Sequence, residues 1–194
     1  MAIIANTMFE VKCSNSVYDE LANITGLFQA QSANADCPAG FLCVRGANLG
    51  AEGYTGVKNT NAYIMKAAGA TDFDGIYACN TFDVETGNAN GHVYKIGSET
   101  LGLHIPAGMR GTFTRIYFDN DKIYRFGIGN LSAAIDTKTY FTIANGLLVP
   151  AAAAPKAGTP YFKLIDSAVA TVGSWAGMTV YDVMACRDVN VAAA

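Results

Sequence analysis

The sequence predicts an all-β fold, an antiparallel β-sandwich or barrel with long loops and at most one or two short helices. Short runs of β-branched and aromatic residues alternate with Gly, Asn, Asp and Pro, and their regular spacing is typical of sandwiches and barrels. Hydrophobic residues make up 51% of the 194 residues and charged residues 15%, which excludes extensive disorder. A chain of this length buries a core without disulfide or metal support.

Several segments carry the strand pattern, and turn residues bound each of them. They are residues 61–66, 75–84, 91–96, 112–118, 122–128, 139–143, 161–165 and 178–186. The clearest local unit is a β-hairpin over residues 116–126, because Asp119, Asn120 and Asp121 tolerate the positive φ angles of a tight turn. We expect the strands on either side of this turn to pair with each other.

The chain is predicted to divide into three parts. Residues 1–60 form an N-terminal arm and an irregular region rich in small residues, residues 60–187 form the β domain, and residues 188–194 form a C-terminal tail. Helical patterns are confined to residues 15–24 and to a short turn at residues 130–136. Neither segment is long enough to organise the fold.

Residues that carry chemistry are few and scattered. The five cysteines are widely spaced and form no CxxC pair, which predicts buried free thiols. His92 and His104 belong to no pattern with a nucleophile or a ligand cluster, and neither a Walker nor a GxGxxG motif is present. The sequence therefore predicts no enzyme, no cofactor, no metal site and no catalytic residue.

Charge and hydropathy also argue against nucleic acid and membrane as partners. The net charge is −3, and Lys and Arg form no stripe that would neutralise a run of phosphates. The apolar N-terminus has no basic region before it, and Glu10 and Lys12 interrupt it, so neither a signal peptide nor a membrane span fits. We expect the protein to be made in the cytoplasm and to stay there until it assembles.

The candidate interaction residues are apolar side chains near the N-terminus and one tryptophan. Residues 1–8 are too short for a membrane anchor and too apolar to remain in water, so an arm that adds a strand to a neighbour's sheet edge is expected. Ile3, Ile4 and Phe9 would fill pockets on that neighbour. Trp175 lies in a glycine-bounded loop and is suited to contact a sugar or a protein. The low charge also indicates a surface that a partner covers.

Three motifs resemble a known family. NGHVYKIG (residues 90–97), IPAGMRGTFTR (residues 105–115) and NGLLV (residues 145–149) follow one another in the order strand, loop, hairpin, then turn and strand before a closing hairpin. This arrangement resembles accessory head proteins of tailed bacteriophages, which are called decoration or cement proteins. The resemblance covers residues 60–187, and residues 1–60 carry none.

The resemblance implies a β-rich protein on the outer surface of an assembled capsid, often a trimer at local symmetry axes, that clamps neighbouring major capsid subunits. It implies neither a cofactor nor catalytic residues. Two other classes stay open on the sequence alone: another phage structural component, such as a head fibre base or a tail protein, and a carbohydrate-binding β module that uses Trp175.

Overall fold

The computed structural model describes most of the chain and shows an all-β protein. It describes residues 6–13, 23–49, 62–72, 75–80, 86–89, 92–95, 104–119, 122–156, 158–170 and 177–187. These residues contain sixteen strands and one 3-10 turn at Ile128–Asn130. The predicted all-β fold class is confirmed, and the larger elements are an open sheet and a closed barrel that share a core.

The open sheet has six antiparallel strands. Their spatial order is β1 (Phe9–Cys13), β12 (Ile123–Gly127), β16 (Thr179–Cys186), β15 (Tyr161–Val169), β13 (Tyr140–Ala144) and β14 (Leu147–Ala151). A two-residue turn joins β13 to β14, and Asn145 and Gly146 have φ angles of 50° and 78° there. Positive φ at both positions is what a tight hairpin turn requires, so the turn predicted from NGLLV is confirmed.

The barrel is a ring of five strands. The order is β11 (Arg110–Arg115), β7 (Ile76–Asn80), β5 (Leu42–Asn48), β6 (Ala62–Ala67) and β2 (Asn23–Ala30), and β2 pairs back onto β11 to close the ring. Its β2–β6 pair is parallel and its other pairs are antiparallel. Short strands attach to the ring or stand apart: β3 (Ala33–Asn34), β4 (Cys37–Pro38), β8 (Thr86–Ala89), β9 (His92–Lys95) and β10 (His104–Ile105).

Strand β7 shows how one segment serves two cores. Ile76 and Ala78 pack in the core between the barrel and the open sheet, whereas Tyr77 and Cys79 pack inside the barrel. This is the alternation of side chains that a strand buried on both faces produces. The barrel is tightly filled at Gly26 of β2, where a Cβ would lie 2.3 Å from Cγ of Met65 and 2.9 Å from the ring of Phe113.

The structure corrects the predicted division at residue 60. β1 is an edge strand of the open sheet, and β2 and β5 are strands of the barrel, so the described residues before 60 contribute to the same sheets as those after it. Glycine and asparagine residues within β2 and β5, at Asn23, Gly26, Gly46 and Asn48, weaken the strand pattern of these segments. The predicted tail at residues 188–194 lies outside the described residues.

The predicted hairpin over residues 116–126 is wrong. β11 pairs with β7 and β2 in the barrel, whereas β12 pairs with β1 and β16 in the open sheet, so residues 116–122 connect the two layers. The short turn expected at residues 130–136 is replaced by the 3-10 turn at Ile128–Asn130. Of the helix expected at residues 15–24, Asn23 and Ile24 begin β2, and the rest lies outside the described residues.

Candidate interaction surface

The structure places one of the four predicted interaction residues in the chain's own core. Phe9 is 2% exposed, and its ring centroid lies 5.9 Å from that of Tyr124 and 5.5 Å from that of Phe126. Its side chain therefore does not fill a pocket on a neighbour, because β1 pairs with β12 of the same chain. Ile3, Ile4 and Trp175 lie outside the described residues.

Three thiols meet inside the barrel. Cys37, Cys43 and Cys79 are fully buried and free, and the Cys79 thiol donates to the carbonyl of Cys37 at 3.4 Å. Burial, together with hydrogen bonds to the Cys43 and Cys79 thiols, raises the pKa of Cys37 well above its ordinary value. Burial also raises the pKa of Cys43. Because the thiolate is the reactive form, this cluster is suited to packing and not to nucleophilic attack.

Other chemistry-bearing groups do not converge in the described part of the chain. No group of three or more His, Cys, Asp or Glu side chains there is arranged to hold a metal ion. His104 lies in β10, where it pairs with Pro38 of β4. The described ranges also contain no helix with the length and apolar character to cross a membrane.

A row of charges crosses the face of the open sheet that points away from the barrel. Register aligns Glu10 of β1 with Arg125 of β12, Arg125 with Asp182 of β16, and Asp182 with Asp166 of β15. Arg125 donates from Nε and Nη2 to the two carboxylate oxygens of Asp182, both at 2.7 Å. These bonds, more than the charges of Glu10 and Asp166, raise the pKa of Arg125. The row is acidic overall, with three carboxylates around one guanidinium.

The end of β15 is the most exposed apolar part of the sheet. β13 stops pairing with β15 at Lys163, and the last hydrogen bond runs from the N–H of Leu164 to the carbonyl of Thr139 at 2.8 Å. Residues 165–169 continue along β16 but have no strand on their other side among the described residues. We call residues 165–169 the β15 edge. Its Ile165 and Val169 side chains are 46% and 57% exposed.

An apolar groove adjoins the β15 edge. Its volume is about 610 Å³, and its lining consists of residues 131–136 together with Ile128, Leu164, Ser167, Thr179 and Tyr181. Leu131, Ile135, Leu164 and Tyr181 also pack against the core between barrel and sheet, so the groove continues that core to the surface. Ile128 is 45% exposed at its rim. Exposed apolar area of this kind marks an interaction surface in soluble proteins.

Sequence reasoning missed this surface because the predicted strand ended at residue 165. The next residues, Asp166, Ser167 and Ala168, have low strand propensity and hide the continuation. They are extended because β16 supplies a complete row of partners. The signal available in the sequence was that residues 164–169 contain neither Pro nor Lys, the residues that commonly prevent an exposed strand edge from pairing.

Comparisons with known proteins leave this surface as the main guide to function. No family model, curated protein or solved structure matches the chain.

Proposed function

We propose that the chain is a non-enzymatic structural protein of a tailed-phage virion, a decoration or cement protein that binds the outer surface of the head through the major capsid protein and stabilises it. The observation that carries the proposal is the β15 edge with its groove, where apolar side chains of a low-charge protein are left open to a partner. A structural component that works by assembly needs such a surface and needs no catalytic group.

Two further observations support the proposal. The chain has 13 basic and 16 acidic residues in 194, few for a protein that remains alone in solution. The NGLLV motif that contributes to the resemblance forms the β13–β14 hairpin, in which Asn145 and Gly146 have positive φ. On this proposal the protein is located on the capsid surface and acts as a homo-oligomer.

The direct test is to look for the chain in phage particles. Tailed phage particles from the source that encodes the chain would be purified on a density gradient, and the chain would be quantified against the major capsid protein by mass spectrometry. We expect a fixed ratio across the peak of intact heads and antibody labelling of the head surface. Labelling confined to tails or fibres, or absence of the chain from particles, would overturn the proposal.

A binding measurement with purified components complements the particle test. Heads stripped of accessory proteins by mild denaturant would be incubated with purified chain and sedimented. We expect saturable binding and a higher temperature of head disruption. The test variant replaces Val169 with Lys on the exposed β15 edge, and the matched control, Ala107→Lys, places the same charge on an exposed barrel turn. Equal binding by all three proteins would show that the β15 edge contributes to head binding neither directly nor through paired copies.

A further inference from the structure

The β15 edge differs from the two outer edges of the open sheet. β1 carries Glu10 and Lys12, whose side chains form an ion pair at 3.8 Å. β14 contains Pro150, and its Leu148 carbonyl accepts a hydrogen bond from the N–H of Ser132 at 2.9 Å. Charge, proline and coverage by a neighbouring segment are the means by which proteins prevent unwanted strand pairing. Within the described part of the chain, such features at the β15 edge are the bulge at its start and the charge of Asp166.

The backbone of the β15 edge is oriented for a further strand. The N–H of Ala170 donates to the carbonyl of Met178 at 2.9 Å, so the peptide groups of Ala170 face β16. In an antiparallel ladder successive residues alternate between the two sides, which directs the peptide groups of Ser167 and Val169 away from β16. These are the groups that an added strand would bind.

The order of side chains in this edge is complementary to itself. In an antiparallel pair of two copies centred on Ser167, the bulged residue Ile165 lies opposite Val169 of the second copy, and Asp166 lies opposite Ala168. The two most exposed apolar residues of the sheet are then neighbours at both ends of the pair. Centring the pair on Asp166 would place two carboxylates opposite each other, and centring it on Ala168 would leave Ile165 without a described residue opposite it.

We propose that the β15 edge is the interface between two copies of this chain, related by a two-fold axis at Ser167, which joins their open sheets into one continuous sheet. Such an interface is isologous, because each copy contributes the same residues. The inference does not depend on the capsid role, since it concerns contact between identical chains. Paired copies would meet a head through the adjoining groove and not through the β15 edge itself.

Asp166 regulates access to this edge. Its Oδ1 accepts a hydrogen bond from the N–H of Ser167 at 2.8 Å, and that N–H is one of the groups the second copy would bind. The carboxylate must therefore release the N–H when the pair forms. A variant without the carboxylate, Asp166→Ala, should associate more tightly, whereas Val169→Lys should associate more weakly because it places two ammonium groups at the interface.

The test measures mass against concentration by sedimentation equilibrium for the full chain and these variants. We expect wild type to reach twice the chain mass of 20.4 kDa. Val169→Lys should raise the dissociation constant of the pair at least about tenfold, which corresponds to about 1.4 kcal/mol. Asp166→Ala should lower that dissociation constant. Ala107→Lys, which adds the same charge on an exposed barrel turn, should behave like wild type. Circular dichroism confirms that each variant is folded.

The position of the axis has its own test. Ser167 lies opposite itself in the proposed pair, where Cα atoms are about 5.5 Å apart, so Ser167→Cys should form a disulfide-linked dimer on mild oxidation. Ala168→Cys is the matched control, because diagonal positions are about 7–8 Å apart and exceed the reach of a disulfide. A wild type that stays monomeric, or an oligomer that is unchanged by Val169→Lys and not linked by Ser167→Cys, would overturn the inference, whatever the particle experiments show.

Discussion

The side-chain amide of Asn130 occupies the space that a side chain on Gly40 would need. Nδ2 of Asn130 lies 2.7 Å from the position of a Cβ on Gly40, and it donates to the carbonyl of Ala39 at 2.7 Å. The Oδ1 atom accepts from the N–H groups of Met8 and Gly127, both at 3.0 Å. One buried amide thus connects the start of the chain, the open sheet and the turn that leads into the barrel.

Replacing Asn130 with Ala should destabilise the protein by about 3 kcal/mol, because it leaves buried N–H and C=O groups without partners. Urea unfolding at several protein concentrations measures the change and separates it from effects on association. Ser132→Ala, at an exposed position in the following segment, is the control and should change stability by less than about 0.5 kcal/mol. Equal effects of the two substitutions would contradict the role given to Asn130.

Replacing Gly40 with Ala should cost more than replacing Gly75 with Ala. Both glycines have left-handed φ angles, 70° and 66°, which cost an L-residue about 1–2 kcal/mol. A Cβ on Gly75 has no atom within 4 Å, whereas a Cβ on Gly40 would lie 2.6 Å from the carbonyl oxygen of Met8. We expect an additional loss of about 2 kcal/mol for Gly40→Ala in urea unfolding. Identical losses would show that the contact with Asn130 and Met8 relaxes without cost.

These contacts also show how far the sequence predicts the fold. Runs of β-branched and aromatic residues predict strands such as β7, where Ile76 and Tyr77 face different cores. Closure of the barrel depends on β2 pairing with β11, residues far apart in the chain whose complementarity no local pattern encodes. Asp119 and its neighbours are typical of a tight turn, yet they join two layers, because β12 pairs with β1 on one side and with β16 on the other and has no edge left for β11.

The candidate site was less predictable than the fold for a related reason. Phe9 is apolar and near the N-terminus, which suits an arm as well as an edge strand, and only its packing on Tyr124 decides between them. The β15 edge depends on where β13 stops pairing, at Lys163, which is a property of strand lengths in the folded sheet.

The barrel thiols should make the protein less stable at alkaline pH. Burial raises the folded-state pKa of Cys37 and Cys43 above the ordinary value of 9.0, so the folded state holds protons that the unfolded state releases. Their contribution is complete below that value and is lost as pH rises above it. We expect the free energy of unfolding, measured in urea, to decline progressively as pH rises above about 9. The free energy of unfolding of the Cys43→Ala variant should fall less steeply with pH than that of the wild type. Parallel curves for the two proteins would show that other groups cause the decline.

The bidentate pair of Arg125 and Asp182 should stabilise the sheet, whereas its weaker neighbour should not. Asp182→Asn removes the charge that holds two 2.7 Å bonds, and we expect a loss of about 1–2 kcal/mol in thermal or urea unfolding. Glu10→Gln is the matched control, since Glu10 approaches Arg125 only to 3.8 Å and its side chain is 41% exposed. Its effect should be below about 0.5 kcal/mol. A larger effect for Glu10→Gln would mean that the charge row acts as one network.

Among the N-terminal residues, Phe9 should contribute to the stability of the fold, whereas Ile3 and Ile4 should contribute to assembly. Phe9→Ala removes a ring packed on Tyr124 and Phe126 and should lower the free energy of unfolding by about 3–4 kcal/mol, even for the isolated chain. The double substitution of Ile3 and Ile4 by Ala tests the arm itself: if those side chains fill pockets on a neighbour, unfolding of the isolated chain is unchanged, while binding to heads or to other copies weakens at least about tenfold. Deleting residues 1–5 should reproduce the double substitution, and deleting residues 1–9 should destabilise the fold because Met8 and Phe9 are buried. Loss of stability without loss of assembly in the double variant would place Ile3 and Ile4 in the chain's own core with Phe9.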